Sequence, residues 1–460
     1  MAPDDAPSVA TGGGTSLSRA ERRAQRQSAA RPHWLLGLGV VAACVVLAGA
    51  GWMTLGRGNG SSRSTENAGT QLQMPTLTPA IPLSAHFPGT TPVLPFPSTG
   101  QSAVYVDRVG LLGATANQEP VPMASVTKVM TAVIVLHDHP LVGAGSGPTF
   151  TMTEADHQAW IHDSTHDDSN LMVVKGERLT ERQLLEALMV PSADNVADYL
   201  ARWDAGSIGK FVAKMSAEAA RLGLHHTHYA DASGLNPASA STAADQAKLG
   251  AFAMRDPTLV SIVDHPTYPF PLEGTVMNYN PVVGQDGVIG VKSGWTSAAQ
   301  ACLVTAAPRT VGGRTVLVVS STLSQPLGLW QAGQIDLQLL DATTRLLESR
   351  VVVTAGQAVA NVYAPWNHEH TTAVAATSQS VVGWPGLAVH VALSPVPPGG
   401  HEARHGWPAG TAIVTVRFET SGGGQASATG QLSQSVAAPP RGWVMPPAAA
   451  GATSPAAGAG

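Results

Sequence analysis

The pattern of apolar and polar positions divides the 460-residue chain into unlike segments. Residues 34–55 form one apolar run without a charged side chain, which as a helix would span roughly 33 Å. Over 101–350, β-prone runs alternate with stretches whose apolar residues recur at helical spacing. Over 351–438 only short β-prone runs separated by turns remain. The pattern therefore predicts an α/β (α+β) domain followed by a small all-β module.

Local signals refine the elements of the predicted domain. Thr180 with Gln183 and Thr242 with Asp245 have capping-box spacing, and Ser207 is placed to cap the helix after it. The other predicted elements are a strand at 102–106, a buried helix over 129–136, a helix from about residue 194, strands at 288–293, 301–306 and 315–321 with a hairpin turn at 312–313, and a last helix over 335–347.

Arginines flank the apolar run unequally. Five lie between residues 19 and 31, and two follow it, at 57 and 63. The positive-inside rule then places the N-terminus in the cytoplasm and the rest of the chain outside the cell membrane. We expect a disordered cytoplasmic tail (1–33), a single-pass transmembrane anchor (34–55), a Gly/Ser/Pro-rich linker (56–100) and a disordered Pro/Ala/Gly tail (439–460). A cleaved signal peptide, giving a secreted protein, is the alternative.

Composition and charge exclude other classes. The formal net charge is −5 and charged residues make up 12%, so the chain has no basic footprint for nucleic acid. Cys44 lies in the apolar run and Cys302 in the predicted domain, so no intrachain disulfide is expected.

The first motif with candidate chemistry is Ser125-x-x-Lys128. Residues three apart share a helix face, so the lysine amine can reach the serine oxygen. A neutral lysine can take the serine proton while the oxygen attacks a carbonyl carbon. The pattern is weak by itself, because Ser207 and Lys210 also match it; there the serine is explained as a helix cap and the lysine as a solvated side chain.

The second motif, Ser192-Ala193-Asp194-Asn195, follows Pro191 on a loop between two predicted helices. Its serine can relay a proton toward a leaving amine, and a carboxylate or carboxamide beside it can orient a lysine or bind a substrate amide. The alternative interpretation is an ordinary helix cap, since serine, aspartate and asparagine are the preferred capping residues.

The third motif, Lys292-Ser293-Gly294-Trp295-Thr296, ends a β-prone run. A strand edge that carries a lysine, hydroxyl groups and a glycine can hold a carboxylate and pair with an extended substrate backbone. An ordinary turn with an exposed lysine is the alternative. The joint occurrence of the three motifs in this order, in one predicted extracytoplasmic domain, favours catalysis over the three separate structural explanations.

These motifs resemble those of the low-molecular-mass penicillin-binding proteins that are D-alanyl-D-alanine carboxypeptidases, serine peptidases that share a fold with serine β-lactamases. The resemblance runs over about 103–350 and includes stretches at 122–124, 176–180 and 231–237. It implies an antiparallel sheet flanked by helices, of the β-lactamase/transpeptidase-like fold. It also implies the following roles: nucleophile, Ser125; base, Lys128; proton relay, Ser192 and Lys292; carboxylate binding, Ser293 and Thr296; oxyanion hole, the backbone N–H groups of Ser125 and Trp295.

The chain departs from the family pattern in three places. Asp194 stands where the family usually has asparagine, with Asn195 next, and either residue is a candidate for the site. Ser293 replaces the commoner threonine and keeps the hydroxyl. Residues 320–334 contain no arginine, although many relatives place one there to help bind the substrate carboxylate.

The expected activity is therefore removal of the terminal D-alanine from peptidoglycan stem peptides ending in D-Ala-D-Ala, inhibited by β-lactams and without a metal or other cofactor. Two alternatives stay open: a catalytically weak penicillin-binding or scaffold protein of the cell envelope, and a β-lactamase. His157, His162 and His166 lie among aspartates and suggest a metal protein, but their spacing matches no standard ligand pattern. We expect that segment to be a solvated loop.

Overall fold

The computed structural model describes residues 74–166, 168–397 and 405–443. Within these residues the α-helices are α1 (Lys128–Asp138), α2 (Glu154–Thr165), α3 (Glu181–Met189), α4 (Asp194–Ala205), α5 (Ile208–Leu222), α6 (Ala243–Ala253), α7 (Pro257–Val263) and α8 (Leu329–Leu346). Short 3₁₀ helices lie at Ala124–Thr127 and Gln285–Gly287.

The strands, in chain order, are β1 (Thr76–Pro79), β2 (Ser84–His86), β3 (Gln101–Val106), β4 (Gly110–Ala114), β5 (Val121–Pro122), β6 (Thr149–Thr151), β7 (Arg178–Thr180), β8 (Ala240–Ser241), β9 (Thr267–Phe270), β10 (Gly274–Met277), β11 (Val291–Thr296), β12 (Gln300–Val311), β13 (Arg314–Gln325), β14 (Glu348–Val353), β15 (Ala358–Ala364), β16 (Glu369–Ala375), β17 (Gln379–Gly383), β18 (Ala388–Pro395), β19 (Ala412–Glu419) and β20 (Gln425–Leu432).

The domain predicted over 101–350 is built on a five-stranded antiparallel sheet of order β11-β12-β13-β3-β4. Gly312 and Gly313 join β12 to β13 as a two-residue turn, with Val311 paired to Arg314. Both glycines have positive φ (55° and 77°), as a tight turn matched to the strand twist requires. The predicted hairpin is confirmed, and so is the predicted antiparallel sheet with helices.

Helices cover both faces of this sheet. Gly250 of α6 lies so close to Val304 of β12 that a Cβ added there would stand 2.7 Å from a valine methyl group. Asp336 of α8 accepts a hydrogen bond from Thr305, the next residue of β12, at 2.7 Å. Because successive side chains of a strand point to opposite faces, α6 and α8 lie on opposite sides of the sheet.

Helix α1 lies inside the helical layer, where it packs against α3, α4, α5 and α6. All residues from Lys128 to Leu136 are buried, which confirms the predicted buried helix and fits a helix that is apolar on every face. The predicted caps are also confirmed: Thr180 and Gln183 form a capping box, Ser207 accepts from the amide of Lys210, and Thr242 accepts from the amide of Asp245.

The structure corrects the predicted linker (56–100) from residue 74 onward. Strands β1 and β2 pair antiparallel with β15 and β18 and form the two edges of a seven-stranded sheet, order β1-β15-β16-β20-β19-β18-β2. Phe87 and Leu94 of this segment are buried. Proline is tolerated on edge strands, where part of the backbone needs no ladder partner, so a Pro-rich composition did not exclude strands. The seven-stranded sheet of the β-rich module therefore combines β1 and β2 with strands β15, β16, β18, β19 and β20.

The predicted tail 1–33, anchor 34–55 and most of the predicted C-terminal tail lie outside the described residues. Over the residues that the structure describes, no helix combines the length and apolarity needed to cross a membrane.

Candidate active site

Ser125 sits on the 3₁₀ turn that runs directly into α1. Two glycines of neighbouring segments lie in close contact with this turn. A Cβ at Gly234 would stand 1.9 Å from the carbonyl oxygen of Ala124, and one at Gly294 would stand 2.6 Å from the amide nitrogen of Ser125. Neither position can carry a side chain without moving backbone, so the serine turn is fixed between β11 and the loop 231–237.

Lys128 is fully buried, and its Nζ contacts three oxygens: Ser125 Oγ at 2.8 Å, Asp194 Oδ1 at 2.6 Å and the carbonyl of Ser233 at 2.8 Å. A carbonyl and an ionised carboxylate can only accept hydrogen bonds. A neutral amine has two N–H groups and one lone pair. If it donates to Asp194 and Ser233, its lone pair faces the Ser125 hydroxyl, which is the geometry needed to take the serine proton.

Asp194 and Asn195 have different surroundings: Asp194 bonds Lys128, whereas Asn195 bonds Leu171. Asn195 accepts from the Leu171 amide (3.1 Å) and donates to the Leu171 carbonyl (2.9 Å), so both ends of its amide are used structurally. Consecutive helix residues point about 100° apart, so the two side chains cannot both face Lys128. The contacts therefore favour Asp194 over Asn195 as the residue that acts on Lys128.

Electrostatics distinguish the charged groups of the site. Burial raises the pKa of Asp194 to about 6, although the nearby Lys128 pulls it down. Burial and the charge of Lys128 lower the pKa of Lys292 well below its usual range, with Asp194 opposing them. The buried Lys292 Nζ donates to the carbonyl of Ser293 at 2.9 Å. This shift favours the neutral amine form of Lys292, which can accept and pass on a proton.

Ser192 begins the second motif in an unusual conformation. Its φ is 67°, in the left-handed region that a serine adopts only at a cost of order 1 kcal/mol. Its hydroxyl is buried and has no hydrogen-bond partner within the described ranges. Such a hydroxyl keeps its full capacity to bond an incoming group, as a proton relay requires.

The third motif supplies the groups that face a substrate carboxylate in the predicted arrangement. Ser293 is buried, whereas Trp295 and Thr296 are half-buried at the end of β11. Thr296 Oγ1 accepts a bond from the Ala299 amide at 3.0 Å and keeps its own hydrogen to donate. The structure thus brings Ser293, Gly294, Trp295 and Thr296 to the edge strand that packs on the serine turn.

Residues 320–334, which contain no arginine, reach the end of the sheet where the third motif lies on β11. β12 joins the two relevant strands there, since Gln300 pairs with Thr296 and Ala301 pairs with Gln325. Beyond Gln325 the exposed side chains are apolar: Leu327 is 73% and Trp330 is 54% exposed. Next to the motif predicted to bind the substrate carboxylate, this chain presents apolar side chains.

Sequence reasoning missed the role of the loop 231–237. Its Ser233 carbonyl binds Lys128, and its Gly234 contacts the serine turn. Asp231 holds the loop by accepting bonds from the Ser233 hydroxyl and from the amides of Gly234 and Asn236, each at 3.0 Å. The signal in the sequence is the run of turn-forming residues over 231–237.

The expected loop around the three histidines is wrong. Residues 154–165 form helix α2, which begins with a capping box between Thr153 and Asp156. His162 and His166 stack at 4.2 Å, and His157 bonds the Val173 carbonyl. The sequence does not predict this helix by periodicity, because the helix has no buried apolar face. Its capping residues, Thr153 and Asp156, are the local signal for it. No cluster of three or more potential metal ligands occurs within the described part of the chain.

Comparison with known proteins gives an independent result. The model of a family described as D-alanyl-D-alanine carboxypeptidase matches residues 95–322. The chain is 33% identical over 217 residues to a D-alanyl-D-alanine carboxypeptidase of Streptomyces sp. (strain K15), covering 43% of this chain and 72% of that protein. It is 32% identical over 238 residues to one of Mycobacterium tuberculosis, covering 50% and 76%.

Among solved structures, the chain resembles penicillin binding protein 5 from Haemophilus influenzae, with a TM-score of 0.55 and 21% sequence identity. This likeness covers 75% of this chain and 100% of the other. At that identity the comparison concerns the fold, and it confirms the predicted fold class.

Proposed function

Because the chain belongs to the D-alanyl-D-alanine carboxypeptidase family, we propose that it removes the terminal D-alanine of peptidoglycan stem peptides through an acyl-enzyme on Ser125. The observation that carries the proposal is the 2.8 Å contact between Ser125 Oγ and the buried Lys128 Nζ. The chain is a serine-type peptidase. In the proposed reaction the chain contributes only side chains and backbone groups.

In the first step Ser125 Oγ attacks the carbonyl carbon of the penultimate D-alanine, and its proton passes to Lys128. Negative charge develops on the carbonyl oxygen, where the backbone N–H groups of Ser125 and Trp295 would stabilise it. The close approach of Gly294 to the Ser125 amide supports this placement, since Trp295 follows Gly294 directly.

In the second step the C–N bond breaks and D-alanine leaves as an amine after receiving a proton. Ser192 and Lys292 supply the route for that proton: a buried hydroxyl without a described partner and a buried amine favoured in its neutral form. Water then hydrolyses the ester on Ser125 and restores the enzyme. A β-lactam follows the same first step, but its amine stays tethered after ring opening.

The position of the chain in the cell is part of the proposal. The apolar run 34–55 and the arginines before it support a single-pass anchor with the catalytic domain outside the cytoplasm, where peptidoglycan lies. Fractionation of cells tests this: the intact chain is expected in the membrane fraction, and a chain found only in the medium would indicate cleavage.

Two measurements test the reaction. Wild type should be labelled covalently by a fluorescent penicillin and should release D-alanine from a synthetic peptide ending in D-Ala-D-Ala, whereas Ser125→Ala should do neither. Ser207→Ala is the matched control, because it breaks the other S-x-x-K match at a helix cap and should keep both activities. Labelling without D-alanine release would favour the weak penicillin-binding protein, and fast penicillin turnover would favour a β-lactamase. An unlabelled wild type would contradict the proposal.

A further inference from the structure

A second concave site lies between the five-stranded sheet and the β-rich module. Its volume of about 720 Å³ falls within the ~300–1,000 Å³ of small-molecule sites. The peptidase side contributes the β3–β4 turn, the start of β13 and the end of α6. The other side contributes β17 and the turn between β19 and β20. The proposed peptidase reaction uses none of these residues.

Hydrogen bonds between the β3–β4 turn and the β19–β20 turn join the two sides of this cleft. Thr420 Oγ1 donates to the Arg108 carbonyl at 2.8 Å, and the Gly422 amide donates to the Val109 carbonyl at 2.9 Å. A Cβ at Gly424 would stand 1.9 Å from the Arg108 carbonyl oxygen. Backbone therefore meets backbone without room for a side chain, and the cleft is formed before any ligand arrives.

The charge of the cleft is strongly one-sided. Three arginines line it, Arg108, Arg255 and Arg314, against one acid, Asp107. Arg255 donates from Nε (3.0 Å) and Nη2 (2.7 Å) to Asp107 Oδ1, so these two charges neutralise each other. Arg108 is 68% exposed and 3.7 Å from the same carboxylate, while Arg314 is exposed without an ion pair in the described part of the chain. Two guanidinium groups remain for a ligand.

The remaining lining is mixed, with apolar side chains such as Met254 and Leu317 beside polar ones such as Thr315 and Gln425. Guanidinium forks bind planar or tetrahedral oxyanions through paired hydrogen bonds. A carboxylate presents two oxygens and suits one fork, whereas a terminal phosphate group presents three and can serve two.

We propose that this cleft binds a phosphate-bearing ligand, with Arg108 and Arg314 on the phosphate and the mixed lining against the rest of the ligand. A free phosphorylated small molecule offers a terminal phosphate. A phosphodiester polymer keeps two non-bridging oxygens on each phosphate and offers neighbouring phosphates to the two guanidinium groups. The site is independent of the peptidase reaction, so its failure would leave that proposal untouched.

The test uses the full chain and two probes, inorganic pyrophosphate and a poly(glycerol phosphate) oligomer, followed by calorimetric titration in about 0.15 M NaCl, where exposed charges are screened beyond about 8 Å. Wild type should bind at least one probe saturably. The double variant Arg108→Gln/Arg314→Gln should bind roughly tenfold or more weakly, because it loses its charge-assisted bonds. Lys210→Gln, which removes an exposed charge on α5, should bind as wild type does.

Penicillin labelling of all three proteins should be equal, which shows that each is folded. Pyrophosphate binding alone identifies a small phosphorylated ligand, and tighter binding of the oligomer identifies a polymer. Equal binding by wild type and the double variant would overturn the proposal. So would binding of citrate as tight as that of the phosphate probes, or no saturable binding of either phosphate probe.

Discussion

Lys128 Nζ lies 2.6 Å from Asp194 Oδ1, and solvent reaches neither side chain to a significant extent. In the family pattern an asparagine usually stands at this position, so this chain places a titratable group where relatives have an amide. An ionised carboxylate accepts from the lysine and leaves the lysine lone pair for Ser125. A protonated carboxyl can donate instead and compete with Ser125 for that lone pair. The state of Asp194 therefore bears directly on acylation.

The Asp194→Asn variant should change the pH dependence of acylation. Burial raises the pKa of Asp194 to about 6, so the carboxyl is mostly ionised at pH 7.5 and mostly protonated at pH 5. In wild type the rate of labelling by penicillin should fall as the pH drops through about 6. In Asp194→Asn the labelling rate should no longer fall as the pH drops. Its labelling rate near neutral pH should be about tenfold lower than that of wild type, because a neutral hydrogen bond replaces a charge-assisted one. Asp341→Asn, an exposed change on α8, is the control and should keep the wild-type pH profile. If the labelling rate of Asp194→Asn still fell at acidic pH, another group would be responsible for that fall.

Asn195→Ala should affect stability and not the pH profile. The change removes two hydrogen bonds to Leu171 and leaves a buried amide and carbonyl unsatisfied, which costs about 1–3 kcal/mol of unfolding free energy. Urea denaturation measures the loss, and Asn361→Ala, at an exposed position of β15, should stay within about 0.5 kcal/mol of wild type. A variant of normal stability whose labelling follows a shifted pH profile would show that Asn195 acts in the site.

Gly234→Ala should disable the serine turn. The added Cβ would meet the Ala124 carbonyl at 1.9 Å, so the loop must move and carry the Ser233 carbonyl away from Lys128. A displacement near 1 Å lowers rates on the order of 100-fold, and penicillin labelling measures it. Gly176→Ala is the matched control, because its φ of +88° is equally unusual but no atom lies within 4 Å of the added Cβ. Equal loss in both variants would indicate backbone strain and not the contact.

Asp336 should make stability depend on pH. The fully buried carboxylate accepts bonds from Thr305, Ser320 and Thr322, yet burial outweighs these bonds and raises its pKa to about 7. The folded state thus holds a proton that the unfolded state, with a pKa near 3.8, has released. Its contribution to stability is complete below the unfolded pKa and is lost as pH rises through about 7.

The unfolding free energy should therefore fall by up to about 1.4 kcal/mol per pH unit within that window. Asp336→Asn should flatten this slope in urea denaturation series, and Asp341→Asn, exposed on the same helix, should keep it. A slope that survives in Asp336→Asn would place the titrating group elsewhere.

Local signals in the sequence were sufficient for much of the fold. Capping hydroxyls, the apolar helix 129–136 and the Gly312-Gly313 turn act through neighbours a few residues away, so their structures follow from short stretches. The order of the three motifs, with the family resemblance, likewise predicts that Ser125, Lys128 and Lys292 act together. Strands β1 and β2 did not follow from the sequence, because their partners β15 and β18 lie about 280–300 residues away.

The sequence by itself determined which chemical groups this chain brings to a serine peptidase site, and it left Asp194 and Asn195 equivalent. Only the tertiary structure separated them. The two side chains leave α4 about 100° apart, and Leu171, more than twenty residues earlier in the chain, binds one of them and leaves the other to Lys128. The same holds for the Ser233 carbonyl and for the arginine-lined cleft, since both arise where distant segments pack and no short stretch of sequence records that packing.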